Sequence, residues 1–461
     1  MTTFSSLTAR AKRPALALLG LSLGLASCQA DIDEPSAPAA GSANFTTYLA
    51  VGNSLTAGYQ SGGLSRAGQL QSYPNLLAKQ FAQVGGGAFT QPLFEAPYTR
   101  GSSYLQLTAI TNGAPVLSYV TDSLATLSGS LRSGTDYILL RKYTGTGNQN
   151  LGVPGIKVAD VTINGYGYNN PLGFNPYFER LLPSTQPAGL ISYLQYVQER
   201  VATLKPTFFT NWLGNNDVLG YARSGGASDA LTPVADFTTK YKQVLDVLAT
   251  GSTKGLVATI PNVTNVPFFT TVKATAVKAA IRSNPALPNA ASASLYIRTG
   301  AGAVREATDN DYILLTAQAV IGTGATQANP LPIGVGYSAT LANPLPSQYV
   351  LDSDEVGPIL TRTNDLNTVI RAEANSRNLA LFDANAYFQG VANGNISVAT
   401  SGITSNSTAF ISGNLFSLDG IHPSPRGYAL VANEMIKAIN AKYGSTLRQV
   451  DAAKYQGILF P

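Results

Sequence analysis

The chain contains one histidine in 461 residues, His422, within Asp419-Gly420-Ile421-His422-Pro423. A carboxylate three positions before an imidazole is a pair suited to acid–base chemistry near neutral pH, and no other imidazole is available for it. It is equally the pattern of a structural Asp–His pair. Far upstream, a serine stands in Gly52-Asn53-Ser54-Leu55-Thr56-Ala57-Gly58, directly after the apolar run Tyr48-Leu49-Ala50-Val51. A serine hydroxyl is too weak an acid to attack an ester unaided, so an imidazole must take its proton. The plainer reading of Ser54 is a glycine turn with a helix-capping serine. Two further blocks carry groups able to stabilise negative charge. Gly214-Asn215-Asn216-Asp217 offers carboxamides that either cap the next helix or donate to a developing oxyanion. Asn150-Leu151-Gly152-Val153-Pro154-Gly155 offers a backbone N–H that no side chain obstructs. One histidine and one cysteine leave only carboxylates as metal ligands, so neither a metal nor a cofactor is expected. The glycine pairs Gly62-Gly63 and Gly225-Gly226 lack the lysine of a phosphate loop and read as turns.

These blocks need elements to position them, and the surrounding pattern supplies strands alternating with helices. Tyr48–Val51, Phe208–Leu213, Gly255–Ile260 and Leu379–Phe382 are short apolar runs that read as buried strands. Helices are predicted over 73–84, with Pro74 in the first turn, and over 191–204, where Ile191, Leu194, Val197, Val201 and Leu204 share a face. Others follow around Phe237–Leu248, Val356–Arg377 and Arg426–Lys442. Four strands alternating with five helices in this order predict an α/β fold, a doubly wound three-layer sheet. Serine and carboxamide blocks at strand ends then sit where open α/β sheets place their ligands. The region from 45 to 461 reads as one large domain with insertions at about 85–150 and 266–355. The second, apolar and proline-rich, suggests a cap or extra hairpin beside a substrate pocket.

Taken in order, Gly52-Asn53-Ser54-Leu55, Gly155 in its Asn-Leu-Gly-Val-Pro-Gly context, Gly214-Asn215-Asn216-Asp217 and Asp419-Gly420-Ile421-His422-Pro423 resemble the four blocks of the SGNH (GDSL-type) hydrolases. The resemblance implies a flavodoxin-like α/β/α sandwich with a parallel sheet and cleavage of carboxylic esters through an acyl-enzyme. Carried over by position, it makes Ser54 the nucleophile, His422 its general base and Asp419 the group that orients the imidazole. The N–H groups of Ser54 and Gly155 and the side-chain amide of Asn216 would form the oxyanion hole. One departure stands out: the family's namesake motif has an acid before the serine, whereas this chain has Asn53. The substrate is left open among lipids, short-chain esters and acetylated sugars. A protein that keeps this fold without catalysis and binds glycans or lipids in the same cleft is the competing expectation.

The first 27 residues place Arg10, Lys12 and Arg13 ahead of an apolar run from Ala15 to Ala26, too short to span a bilayer and suited to a secretory signal. They resemble a bacterial lipoprotein signal, with Leu25-Ala26-Ser27 leading to Cys28, which would carry the lipid. Cys28 is the only cysteine, so no intramolecular disulfide can form. Residues 28–44 read as a flexible tether, and Asp31, Asp33 and Glu34 resemble sorting signals of surface-exposed lipoproteins. The expected location is the bacterial cell envelope, anchored to the outer membrane. Removing residues 1–27 takes three basic residues and no acidic ones, leaving 27 Lys+Arg against 25 Asp+Glu, or +2. With 12% charged residues and no basic cluster, no nucleic-acid partner is expected.

Overall fold

Five apolar segments pair as one parallel sheet: β1 (Tyr48–Gly52), β2 (Asn150–Gly152), β3 (Phe208–Trp212), β4 (Lys254–Ala258) and β5 (Ala380–Phe382). The computed structural model describes residues 37–111, 113–132, 135–168, 174–183, 190–325, 329–394, 398–400 and 403–461. The signal segment and Cys28 lie outside the described residues. The sheet order is β5-β4-β3-β1-β2, the flavodoxin-like winding in which the chain starts inside the sheet and turns back. β1 and β3 are buried at every residue, as parallel strands covered on both faces must be, and this is why they read as unbroken apolar runs.

Helices cover both faces. On one lie α2 (Tyr73–Phe81), extended by a 3₁₀ turn to Val84, and α7 (Pro425–Tyr443); on the other lie α3 (Tyr193–Leu204), α5 (Val234–Leu248) and α6 (Ser353–Ser376). Aromatic rings lock α2 to the sheet: Tyr48 of β1 meets Phe81 edge-on with centroids 5.0 Å apart, and Tyr73 meets Trp212 of β3 edge-on at 5.7 Å. Each such fully buried side chain contributes roughly 1.5–3 kcal/mol relative to exposure. The three-layer α/β/α expectation therefore describes the fold.

Three details differ from the sequence reading. α3 starts at Tyr193 because Ser192 caps it in a reciprocal capping box with Gln195, and its core face is Tyr193, Tyr196 and Val197. Ile191, Leu194, Val201 and Leu204 are only partly buried there, because two tyrosines turn the buried stripe by a residue. Asn150-Leu151-Gly152, read only as part of a loop block, is itself a strand, three residues being too short to show a period. Residues 38–44, assigned by composition to a flexible tether, are docked: Ser42 N–H donates to Tyr443 O at 2.8 Å, Ala39 N–H to Thr446 Oγ1 at 2.8 Å, and Ala43 is buried.

Between β1 and β2 the chain makes two antiparallel hairpins, Leu105–Thr111 with Ala114–Tyr119 and Thr126–Arg132 with Thr135–Leu140. Between β4 and β5 it builds a small sheet from Ser294–Arg298, Val304–Glu306 and Val335–Gly336, with its own apolar cluster around Leu295, Ile297, Val335 and Leu345.

Candidate active site

Three neighbouring strands deliver three of the expected groups by register alone. Gly52 of β1 pairs with Gly152 of β2 and with Trp212 of β3, so all three strands end at one level. The chain then reaches Ser54 two residues later, Gly155 three residues later and Asn216 four residues later. Helix α1 (Ser54–Ala57) begins at once after β1, capped by Asn53, whose Oδ1 accepts from Leu55 N–H at 3.0 Å. The helix cap is thus Asn53 rather than Ser54, whose hydroxyl is left to point elsewhere. The turn requires Gly52: a Cβ there would lie 2.0 Å from Thr56 Oγ1, which is held to Tyr73 OH at 2.8 Å.

Neither asparagine of the third block caps a helix with its side chain. α4 (Asn216–Arg223) starts with no side-chain cap bond, and Asn216 Nδ2 donates to Ile156 O at 2.9 Å, one residue past Gly155. Gly155 is left-handed (φ 85°) and exposed, and Asn175 Nδ2 holds the preceding Pro154 O at 2.8 Å. Next to Asn216, Asp217 accepts from Val158 N–H at 2.8 Å and Ala159 N–H at 3.2 Å. Burial pushes the Asp217 carboxyl up to about 6 against those hydrogen bonds. The Asn216-Asp217 pair therefore grips the 155–159 segment at three points. The N–H groups of Ser54 and Gly155 donate to no acceptor among the described residues, and Asn216 Nδ2 keeps a second hydrogen free.

The acid–base pair arrives from the other end of the chain, on a turn just before α7. His422 Nε2 lies 2.9 Å from Ser54 Oγ, and His422 Nδ1 lies 2.8 Å from Asp419 Oδ2. Asp419 Oδ1 accepts from Ile421 N–H and His422 N–H, both at 2.9 Å. Burial pushes the Asp419 carboxyl up, but the adjoining imidazole and the N–H donors outweigh it and hold the group at about 2. An ionised carboxylate only accepts, so Nδ1 carries the ring proton and Nε2 is the acceptor facing the Ser54 hydroxyl. Tyr59 packs its ring on the imidazole with centroids 4.7 Å apart, and Tyr428 OH of α7 donates to Tyr59 O at 2.6 Å.

All the expected groups, Ser54, Gly155, Asn216, Asp419 and His422, thus converge at the carboxyl end of the sheet. Sequence reasoning missed Asn175, Asp217 and Tyr59, and also Asn150, whose Nδ2 donates to Thr56 O at 2.9 Å and ties β2 to α1. Only Asp217 and Asn150 lay inside a recognised block; the rest have no local signal. Among the described residues no group of three or more His, Cys, Asp and Glu side chains could hold a metal ion. The arrangement can deprotonate a serine and accommodate a negative oxygen opposite it.

Comparison with known proteins agrees with that chemistry. The family model for GDSL-like lipases and acylhydrolases matches residues 48–435. Comparison with curated proteins gives no significant match. Among solved structures, a lipase/acylhydrolase from Enterococcus faecalis aligns at 11% identity over 87% of this chain and 98% of its own, with a TM-score of 0.32. An extracellular lipase from Streptomyces rimosus aligns at 13% identity over 86% and 99%, with a TM-score of 0.32. A mutant of an acetyl-xylooligosaccharide esterase from Geobacillus aligns at 10% identity over 86% and 95%, with a TM-score of 0.34. With its sheet, its block order and a family match over most of its length, the chain belongs to the GDSL-like lipase/acylhydrolase family and is an ester-cleaving hydrolase.

Proposed function

We propose that Ser54 is the nucleophile of a carboxylic ester hydrolase that works through an acyl-enzyme. The observation that carries this reading is the unbroken run Asp419–His422–Ser54, with contacts of 2.8 and 2.9 Å joining residues 368 positions apart in sequence. Ser54 Oγ attacks the ester carbonyl carbon while His422 Nε2 takes the hydroxyl proton. The carbonyl oxygen becomes an oxyanion facing Ser54 N–H, Gly155 N–H and Asn216 Nδ2. Collapse breaks the bond to the alcohol oxygen, which receives the proton from His422. Water then repeats the sequence on the acyl-enzyme, releasing the acid and restoring Ser54. Asp419 remains ionised throughout and stabilises the imidazolium. Asn53, in place of an acid, removes a charge beside the nucleophile but keeps the cap of α1.

The natural ester, whether a lipid, a short-chain acyl ester or an acetylated sugar, is a matter for a substrate panel. A fluorophosphonate probe tests the chemistry. Labelling of the folded wild type that disappears in Ser54→Ala is expected, and a folded wild type that takes no label overturns the reading in favour of a binding protein. Acyl esters of graded chain length and acetylated sugars, assayed on the same two proteins, then rank substrates.

The same proposal places the enzyme in the cell envelope, tethered to the outer membrane through lipidated Cys28 after removal of residues 1–27. Its support is the sequence pattern Leu25-Ala26-Ser27-Cys28 behind a basic, apolar leader. Cys28→Ser should release active protein from the membrane fraction; a correctly cleaved variant that still fractionates with the outer membrane would sink the anchor.

A further inference from the structure

The loop after α1 turns back on the catalytic acid. Gln60 and Gly63 close a tight turn through N–H···O bonds of 2.9 and 3.1 Å, and within it Ser61 (φ 53°) and Gly62 (φ 77°) are both left-handed. For Ser61 that conformation is disfavoured by its side chain, so something outside the turn must hold it. Two successive N–H groups supply the hold. Ser61 N–H donates to Ser417 Oγ at 2.7 Å, and Gly62 N–H donates to Asp419 Oδ2 at 2.8 Å. In return, Leu418 N–H donates to Ser61 Oγ at 3.3 Å. Ser417 then passes the link on, its hydroxyl donating to Asp419 Oδ1 at 3.2 Å. The strap is seated in turn by the first inserted region: Leu105 N–H donates to Ser61 O at 2.7 Å, and Ser102 N–H to Leu64 O at 2.9 Å.

Asp419 therefore accepts five hydrogen bonds, three on Oδ1 (Ser417 Oγ, Ile421 N–H, His422 N–H) and two on Oδ2 (Gly62 N–H, His422 Nδ1–H). The bonds from Ile421 and His422 come from the acid's own turn. They fix the carboxylate within that turn but do not relate the turn to the nucleophile. The strap, which is covalently continuous with α1, does so, alongside the His422 Nε2–Ser54 Oγ contact itself and the packing of Tyr59 on the imidazole.

We propose that Ser417, together with the Ser61–Gly62 strap, is a positioning device for the acid–base pair. It sets the rotation of the Asp419 carboxylate and registers the 417–422 turn against the helix that carries Ser54. This rests on the assignment of Ser54, His422 and Asp419 as the triad. The inserted region at about 85–150 then has a part in catalysis, through Ser102 and Leu105 as the buttress of the strap, without touching the reacting atoms.

The single imidazole allows a clean test, because nitrogen-15 labelling of histidine reports one ring. In the full chain, Ser417→Ala should lower kcat on a soluble chromogenic ester about tenfold and leave KM within about twofold. It should also shift or broaden the low-field His422 Nδ1–H resonance. Ser417→Thr, which keeps the hydroxyl, should restore both. Wild-type kcat with an unchanged resonance in Ser417→Ala overturns the proposal, whatever happens to the melting temperature. Should that variant fail to fold, Ser417→Cys, near in size but with a weakly bonding thiol, answers the same question by the same two readouts. Failure of the underlying triad is recognised separately: Ser54→Ala would then keep full turnover.

Discussion

The two halves of the site are held by different physics. The proposed nucleophile, Ser54, and the proposed oxyanion donors of Gly155 and Asn216 leave β1, β2 and β3 at one level, and their spacing follows from the ladder Gly52–Gly152 and Gly52–Trp212, continued by Val153 N–H to Gly52 O at 3.0 Å. Backbone pairing of this kind is indifferent to most side chains. It demands small residues where α1 must turn sharply, as at Gly52, and a left-handed residue where the loop must bend, as at Gly155. The acid–base half stands on a turn outside the sheet, flanked by a single bridge between Phe416 and Pro423. Ser417 N–H to His422 O at 2.7 Å and Gly420 N–H to Ser417 O at 2.9 Å close the turn, and side-chain bonds to a distant loop place it. Substitutions of the glycines that shape the first half should show first as lost stability, and those of the side chains that place the second half as lost rate in a folded protein.

The largest expected effect lies at the contact joining the halves. His422→Ala should reduce kcat by about 10⁴–10⁶ while the fold survives, because no second imidazole exists to take the proton. Turnover near wild type, measured on protein with an unchanged melting curve, would dissolve both halves of the comparison. Next comes Asn216, the one proposed oxyanion donor carried by a side chain. Asn216→Ala should lose about 10²–10³ in kcat, roughly 3–4 kcal/mol of transition-state stabilisation, with KM nearly unchanged. A melting temperature lowered without loss of kcat would reduce Asn216 to a pin on Ile156 O.

Gly52→Ala sharpens the contrast. Its Cβ would stand 2.0 Å from Thr56 Oγ1, so α1 must shift, and a cost of about 1–3 kcal/mol in stability is expected from overpacking. Denaturant melts of this variant beside Ser417→Ala check the claim, which fails if the glycine variant is as stable as wild type. The smallest effect is a dependence of stability on pH, with opposite signs in the two halves. Asp217, which holds the 155–159 segment, is raised by burial to about 6, above the roughly 3.9 of a free aspartate. The folded state therefore binds that proton more tightly, and its contribution to stability is lower above pH 6 and recovers as pH falls toward 4. Asp419 is held at about 2, so its contribution is present above about pH 4 and is lost as pH falls through 2. Thermal melts from pH 2 to 8 should show Asp217→Asn flattening only the segment between 4 and 6; a wild-type slope in that variant would mean that Asp217 is not buried as described.

Much of this was legible before any fold was built. Buried parallel strands are apolar on both faces, so Tyr48–Val51 and Phe208–Trp212 announce themselves as runs, and the order of four short blocks points to the site. β2 was hidden because three residues carry no period, and α3 differs because Ser192 caps it and Tyr193 and Tyr196, with Val197 alone of the expected aliphatic stripe, face the core.

By itself, the sequence determined which groups are available: one imidazole, a serine after a buried strand, and the strand–helix alternation that puts both Ser54 and Asn216 at the carboxyl edge of a sheet. Those properties are local, written in residue type and short-range period. The tertiary structure alone decided what holds them in place. Ser61 meets Ser417 across 356 residues, Gly62 meets Asp419 across 357, and Asn216 meets Ile156 across 60. A hydrogen bond between distant loops leaves no period and no composition in either segment, because its geometry exists only once the sheet has brought the two loops to one edge.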